Sequence, residues 1–235
     1  MLTISKLNII IGAGRKVYST DELEEIYDLL SKDNQKTVED FNETEVITSV
    51  SNFTIESIPE KQARIILNKY HYLPTHNFVG RRICYSIIDE ESSELLAISI
   101  WSNTPAPSLA ARDEYLGLDD YSERVSTICK VCANNIRFLI LPFVQVPNLA
   151  SRIISKTIKQ LKKDWYEKYG DKLKYVETFV DPSRGFKGTC YLASSWKKVG
   201  MTKGYSFHGT GYKGMKGFYK MPKCNTRKII FVKKI

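Results

Sequence analysis

Residues 179–200, FVDPSRGFKGTCYLASSWKKVG, gather an acid, four basic residues, three glycines, a cysteine, a tyrosine and a tryptophan around one predicted strand-to-helix junction. Asp181 closes the strand KYVETFVD just before Pro-Ser-Arg-Gly, where a carboxylate either caps the next turn or projects into a cleft at the sheet's end. Glu177 stands four residues earlier, on the same face as Phe179 and Asp181 if the strand is regular. The two acids could share a site, or Glu177 could neutralise a buried arginine. Cys190 and Tyr191 begin the following helix, whose dipole would lower the pKa of a thiol or phenol placed there. Cys190 has no recognisable His or Asn partner, which favours packing over nucleophilic attack. Tyr191 could act as acid or base, ligate a metal or attack a phosphodiester, against the plainer role of a core aromatic.

Other candidates stand elsewhere in the chain. His71 is one of three histidines and ends the predicted helix PEKQARIILNKYHYL, where a cation is favoured. Arg137 precedes the apolar run FLILPFVQV and follows Asn134 and Asn135; it either binds a phosphate in bidentate fashion or pairs with Glu177. Segment 204–223, GYSFHGTGYKGMKGFYKMPK, interleaves Tyr205, Phe207, Tyr212, Phe218 and Tyr219 with glycines and lysines, which suits stacking on single-stranded or flipped bases or else a solvated loop. Asn135, Arg137, Arg184, Lys187, Lys203, Lys213 and Lys216 are candidate substrate-binding residues, with Tyr72 or Trp196 as a pocket wall.

These residues need a scaffold, and 235 residues that are 43% hydrophobic can build one main domain, placed at 51–235, behind an N-terminal appendage at 1–50. The appendage holds a predicted helix, TDELEEIYDLLSKD, and the sequence IIGAGRK, which lacks the third glycine of a nucleotide-binding turn. Downstream come a short strand NFTIESI, a helix ending near His71, a hairpin RRICYSIIDEESSELLAISIWSN, the strand FLILPFVQV and a long amphipathic helix over NLASRIISKTIKQLKKDWYEKYG. A strand, a short helix closed by Gly200 and a basic strand TRKIIFVKKI follow. No run of apolar residues is long enough for a membrane span and no secretory start is evident, so the expectation is cytoplasmic. Five cysteines, two in a C-x-x-C at Cys129 and Cys132, read as reduced thiols. The net charge of +9 is unevenly spread: residues 182–235 hold thirteen Lys or Arg and no acid, whereas residues 1–50 hold ten acids against five bases. The C-terminal quarter is a surface for polyanions, nucleic acid first among them.

Three blocks carry a resemblance: HYL with Gly80 nearby, NNIRFLILPFVQVPNLAS at 134–151, and ETFVDPSRGFKGTCYLASSWKKVGMTKG at 177–204. Over residues 55–235 they resemble the DruA-type proteins of the Druantia anti-phage systems, whose relatives also travel with transposon-like elements. The third block is similar to the motif of the Mom family of phage DNA-adenine modification proteins, matched at Asp181, Gly185, Gly188, Tyr191, Ala193, Trp196 and Gly200, with His71 and Tyr72 matching its His-Tyr. Phe186 departs from that motif, which has His there. The fold so implied is α/β or α+β: a GNAT-like single mixed central sheet flanked by helices. The resemblance implies a DNA-acting enzyme that modifies or processes nucleic acid, single-stranded DNA included, alongside partner proteins of a defence or mobile-element system. It has Asp181, Tyr191 and His71 in one cleft, and iron or another divalent metal held by His71 and Asp181. GNAT enzymes cradle the pyrophosphate of acetyl-coenzyme A in a glycine-rich turn entering the long helix. The corresponding turn here, VPNLAS, has no glycine, and Pro147 removes a donor, so acetyl-coenzyme A is disfavoured. The alternatives are a non-enzymatic DNA-binding module and, less favoured, a coenzyme A-dependent acyltransferase.

Overall fold

The computed structural model describes residues 46–73, 78, 80–103, 109–118, 127–202 and 226–235. In chain order the elements are β1 (Phe53–Ile58), α1 (Glu60–Tyr70), β2 (Arg82–Asp89), β3 (Leu95–Asn103), α2 (Ala110–Leu116), β4 (Cys132–Ile140), α3 (Leu149–Tyr169), β5 (Tyr175–Val180), a 3-10 turn (Pro182–Arg184), α4 (Thr189–Ala193), β6 (Lys197–Met201) and β7 (Ile229–Lys234). The strands form one sheet in the order β1-β2-β3-β4-β5-β7-β6. Only β4 and β5 run parallel, joined by α3 as the crossover; the other pairs are antiparallel. A mixed sheet flanked by helices is the GNAT-like architecture expected.

Alternation along β7 shows how the sheet divides the core. Ile229 and Phe231 join one apolar cluster with α1, α3 and Tyr191, while Ile230 and Val232 join a second with Leu116 of α2, Ile128 and Cys132. On α3 the expected stripe of Leu149, Ile153, Ile154, Ile158 and Leu161 is buried, extended by Thr157 and Trp165. Residues 46–50 belong to this body: Ile47 bridges Val144, and Val50 is buried.

Two predicted elements shift. The strand expected at FLILPFVQV lies earlier, at Cys132–Ile140, because Asn134 and Asn135 satisfy their side chains inside the sheet; only Phe138, Leu139 and Ile140 of the expected run belong to it. The helix expected to close at Gly200 ends at Ala193; Gly200 sits instead within β6, paired with Ile230. That pairing to β7 is a long-range contact that local pattern does not carry. Among the described residues no helix is long and apolar enough to cross a membrane.

Candidate functional site

β4 and β5 pair over three rungs only, Cys132–Tyr175, Ala133–Val176 and Asn134–Glu177, and then separate. The wedge between them opens into a cleft of about 520 Å³ lined from five parts of the chain: the end of α1, β4, the end of β5 with its turn, α4, and Lys228 just before β7. A cavity of this size suits a small organic ligand.

The wall on β4 is shaped by a bulge. Ile100 of β3 faces Arg137 and Trp101 faces Asn135, so Ile136 is the extra residue. The Asn135 amide donates to Ser99 Oγ and to the carbonyls of Ile100 and Arg137, each at 3.2 Å, tying the bulge. Its Oδ1 accepts from the Tyr191 hydroxyl at 2.9 Å, and Thr178 Oγ1 donates to its backbone carbonyl. Tyr191 thus anchors α4 in the wedge, stacked on Phe231 and edge-on to Trp196.

α4 can reach that position because Gly188, at its start, holds φ +70° and sits so close to Phe231 that a Cβ would lie 2.4 Å from the ring. Burial pushes the Tyr191 phenol well above its ordinary pKa and raises the Cys190 thiol as well. The lowering expected from a helix dipole is therefore overturned: α4 has five residues, too few for a strong dipole, and desolvation wins. Tyr191 lines the cleft with its hydroxyl donating to Asn135, and Cys190 lines it with its thiol raised by burial.

Asp181 does both things its position allowed. Its Oδ1 caps the 3-10 turn, accepting from Ser183 N–H at 3.0 Å and Ser183 Oγ at 2.6 Å, and it lines the cleft. The Ser183 hydroxyl outweighs the burial that would raise its pKa, and with the Ser183 N–H, Lys228 and Arg184 it holds the carboxyl below its ordinary value. His71 closes α1 and is pulled down to about 4 by burial and by the Arg137 charge. Its Nδ1 accepts from Leu73 N–H at 3.1 Å, so the neutral ring carries its proton on Nε2. Neither ring nitrogen then offers a lone pair to a metal. Among the described residues no group of three His, Cys, Asp or Glu converges, so His71 and Asp181 as arranged do not fit the divalent metal implied earlier, and no step is derived through one.

At the mouth, His71 stacks on Tyr72 at 4.5 Å, Tyr72 meets Phe186 at 5.2 Å, and the Arg184 guanidinium lies 4.6 Å from the Tyr72 ring. Tyr72 and Phe186 remain 41% and 46% exposed. Arg137, Lys187 and Lys228 also line the cleft, three cations against the one carboxylate, Asp181, among the described residues.

Two candidates lie elsewhere. Trp196 is 3% exposed, buried beside Trp101 and Tyr191, and forms no part of the cleft wall. Glu177 faces the opposite side of the sheet, where it accepts from Arg112 at 3.0 Å and Asn134 at 3.2 Å. It therefore neutralises a buried arginine, Arg112 rather than Arg137, and shares no site with Asp181. Lys203, Lys213, Lys216 and segment 204–223 lie outside the described residues, as do IIGAGRK and the helix predicted at 20–33. Lys228 and the exposed rim position of Phe186 were missed: the first read as part of a basic strand, the second only as an absent histidine.

The fold and cleft together define a protein built on one mixed seven-stranded sheet, in which a tyrosine anchors a short helix in the wedge between β4 and β5 and the wedge opens into a cationic pocket. The profile of the family described as Druantia protein DruA matches residues 15–233, and the chain belongs to that anti-phage family. The match takes in most of the N-terminal segment for which the resemblance gave no account. No curated protein matches. Among solved structures the chain is similar to a ribosomal-protein-S5-alanine acetyltransferase from Vibrio fischeri, at 11% identity over 81% of this chain and 97% of that one, with a TM-score of 0.47. It is also similar to NAA60 from Arabidopsis thaliana in complex with acetyl-CoA, at 15% identity over 78% and 99%, TM-score 0.46. A third is the spermidine N-acetyltransferase from Vibrio cholerae in complex with CoA and spermine, at 9% identity over 77% and 95%, TM-score 0.45.

Proposed function

We propose that the protein modifies or processes nucleic acid, and that the cleft between β4 and β5 receives the nucleotide acted upon. The observation that carries this reading is the mouth of the cleft: Tyr72 and Phe186 stand exposed side by side, with cations around them and within. Exposed rings take the faces of unpaired bases, and cations take the phosphates between them. The thirteen Lys and Arg of residues 182–235 supply the wider attraction. A base reaching the cleft from a duplex must first leave its stack. Inside, the Asp181 carboxylate is the fixed charge, neutral His71 offers an Nε2–H donor, and Tyr191 a hydroxyl.

A coenzyme A-dependent reaction is disfavoured by the first turn of α3. No glycine stands between Val146 and Ser151, Pro147 has no N–H, Leu149 is buried, and its N–H already donates to the Val146 carbonyl at 3.3 Å. The second reading, a binding module without catalysis, is favoured by one observation: Tyr191 and Asp181 each have a structural partner, Asn135 and Ser183.

The test is to incubate the full chain with single- and double-stranded DNA, then analyse nucleosides by mass spectrometry and strands on gels. Altered nucleosides or strands are expected from the wild type and not from Asp181→Asn, whose side chain still caps the turn and should leave fold and affinity in place. Unaltered DNA from a wild-type protein that binds it would establish the binding module instead.

A further inference from the structure

Arg137 differs from the other cations at the cleft. Arg184 has Asp181 at 3.8 Å and is 48% exposed, and Lys187 is exposed. Arg137 is half-buried, with its guanidinium 5.5 Å from the Phe78 ring and one amino group donating to the Ile136 carbonyl at 2.8 Å. Its Nε is buried with no hydrogen-bond partner, and no carboxylate pairs with it among the described residues. A partly desolvated guanidinium with no paired carboxylate is costly unless an anion faces its open amino groups. A carbonyl oxygen cannot neutralise it, and His71, on which the Arg137 charge acts, is uncharged. The bulge at Ile136 is what brings this side chain to the wedge, beside the Tyr72 ring. The guanidinium fork matches a phosphate in two parallel hydrogen bonds.

We infer that Arg137 is a phosphate-binding residue, so that the cleft recognises a nucleotide by its phosphate while Tyr72 and Phe186 take the base. This rests on the nucleic-acid reading for the identity of the ligand, but Arg137 also admits a free nucleotide. Ligand-observed NMR titration of the full chain, with each 2′-deoxynucleoside 5′-monophosphate against its nucleoside, tests it. The nucleotide should bind about 10- to 100-fold more tightly, as charge-assisted hydrogen bonds require. In Arg137→Ala the nucleotide should fall to the affinity of the nucleoside, whose own binding, independent of Arg137, reports an intact fold. Arg137→Lys, which keeps the charge without the fork, should show an intermediate preference. A wild type indifferent to the phosphate, or either variant retaining the full preference, overturns the inference. Displacement of the mononucleotide by a single-stranded oligonucleotide without terminal phosphates assigns the phosphate to a strand. Failure to displace it assigns a free nucleotide, which leaves Arg137 its role and defeats the nucleic-acid reading alone.

Discussion

Arg112→Met should be among the most damaging single substitutions in the protein, although Arg112 lies on the far side of the sheet from the cleft. The side chain is 0% exposed and donates to two carboxylates: Glu177 at 3.0 Å, and Asp113 at 2.9 and 2.7 Å. Glu177 is itself 0% exposed, Asp113 is buried, and Asp113 also caps α2 by accepting from Leu109 N–H. Burial works to lower the Arg112 pKa, but the two acids outweigh it and raise it, so the guanidinium is fully charged. The paired residue Glu177 lies on the last rung before β4 and β5 part. Removing one member of a buried ion cluster leaves desolvated charge behind, which costs about 3–5 kcal/mol. With a urea slope of about 3 kcal/mol per molar, the unfolding midpoint should fall by roughly 1–2 M. The double variant Arg112→Met, Glu177→Met should recover much of this, because one orphaned carboxylate is gone and Met fills similar volume. A single variant within about 0.5 kcal/mol of wild type, or a double variant worse than the single, would refute the argument that the charges, rather than the shape, hold that rung.

Three other outcomes follow from the geometry. Gly188→Ala combines a left-handed backbone with a Cβ placed 2.4 Å from Phe231, and should lower the thermal midpoint far more than Gly185→Ala, which has φ +80° but open space around its Cβ. The His71 Cε1 proton should titrate near pH 4 by NMR rather than near 6.5. Since the unfolded chain takes up that proton first as pH falls, this residue makes folding stability decline between about pH 6.5 and 4, and His71→Gln should flatten that part of the curve. Acetyl-coenzyme A should show no micromolar binding by calorimetry, because the turn VPNLAS entering α3 has no glycine and Pro147 has no N–H to offer a phosphate.

The elements most legible in the sequence are those written in local periodicity. The stripe on α3, the acidic hairpin between β2 and β3, and the helix ending at His71 all depend on residues within a few turns of one another. α2 was not read at all: Arg112 and Asp113 are charged residues on its buried side, the reverse of an amphipathic pattern, and only their distant partner Glu177 explains them. β6 is exposed and rich in lysine, and becomes a strand through pairing with β7 some thirty residues later. At the cleft, the sequence brought together His71, Tyr72, Asp181 and Tyr191 through motif rather than contact. What it could not show was competition: whether burial or helix dipole sets the pKa of Tyr191, and which arginine answers Glu177, are settled by depth in the core.

The central claim, that nucleic acid enters the cleft over its aromatic rim, is tested most directly by photocrosslinking a single strand carrying 5-iodouracil to the full chain and mapping the attached peptides by mass spectrometry. Crosslinks at Tyr72 and Phe186 are predicted, lost when excess unlabelled strand is present. Crosslinks confined to other surfaces, with both rim residues unlabelled, would contradict it.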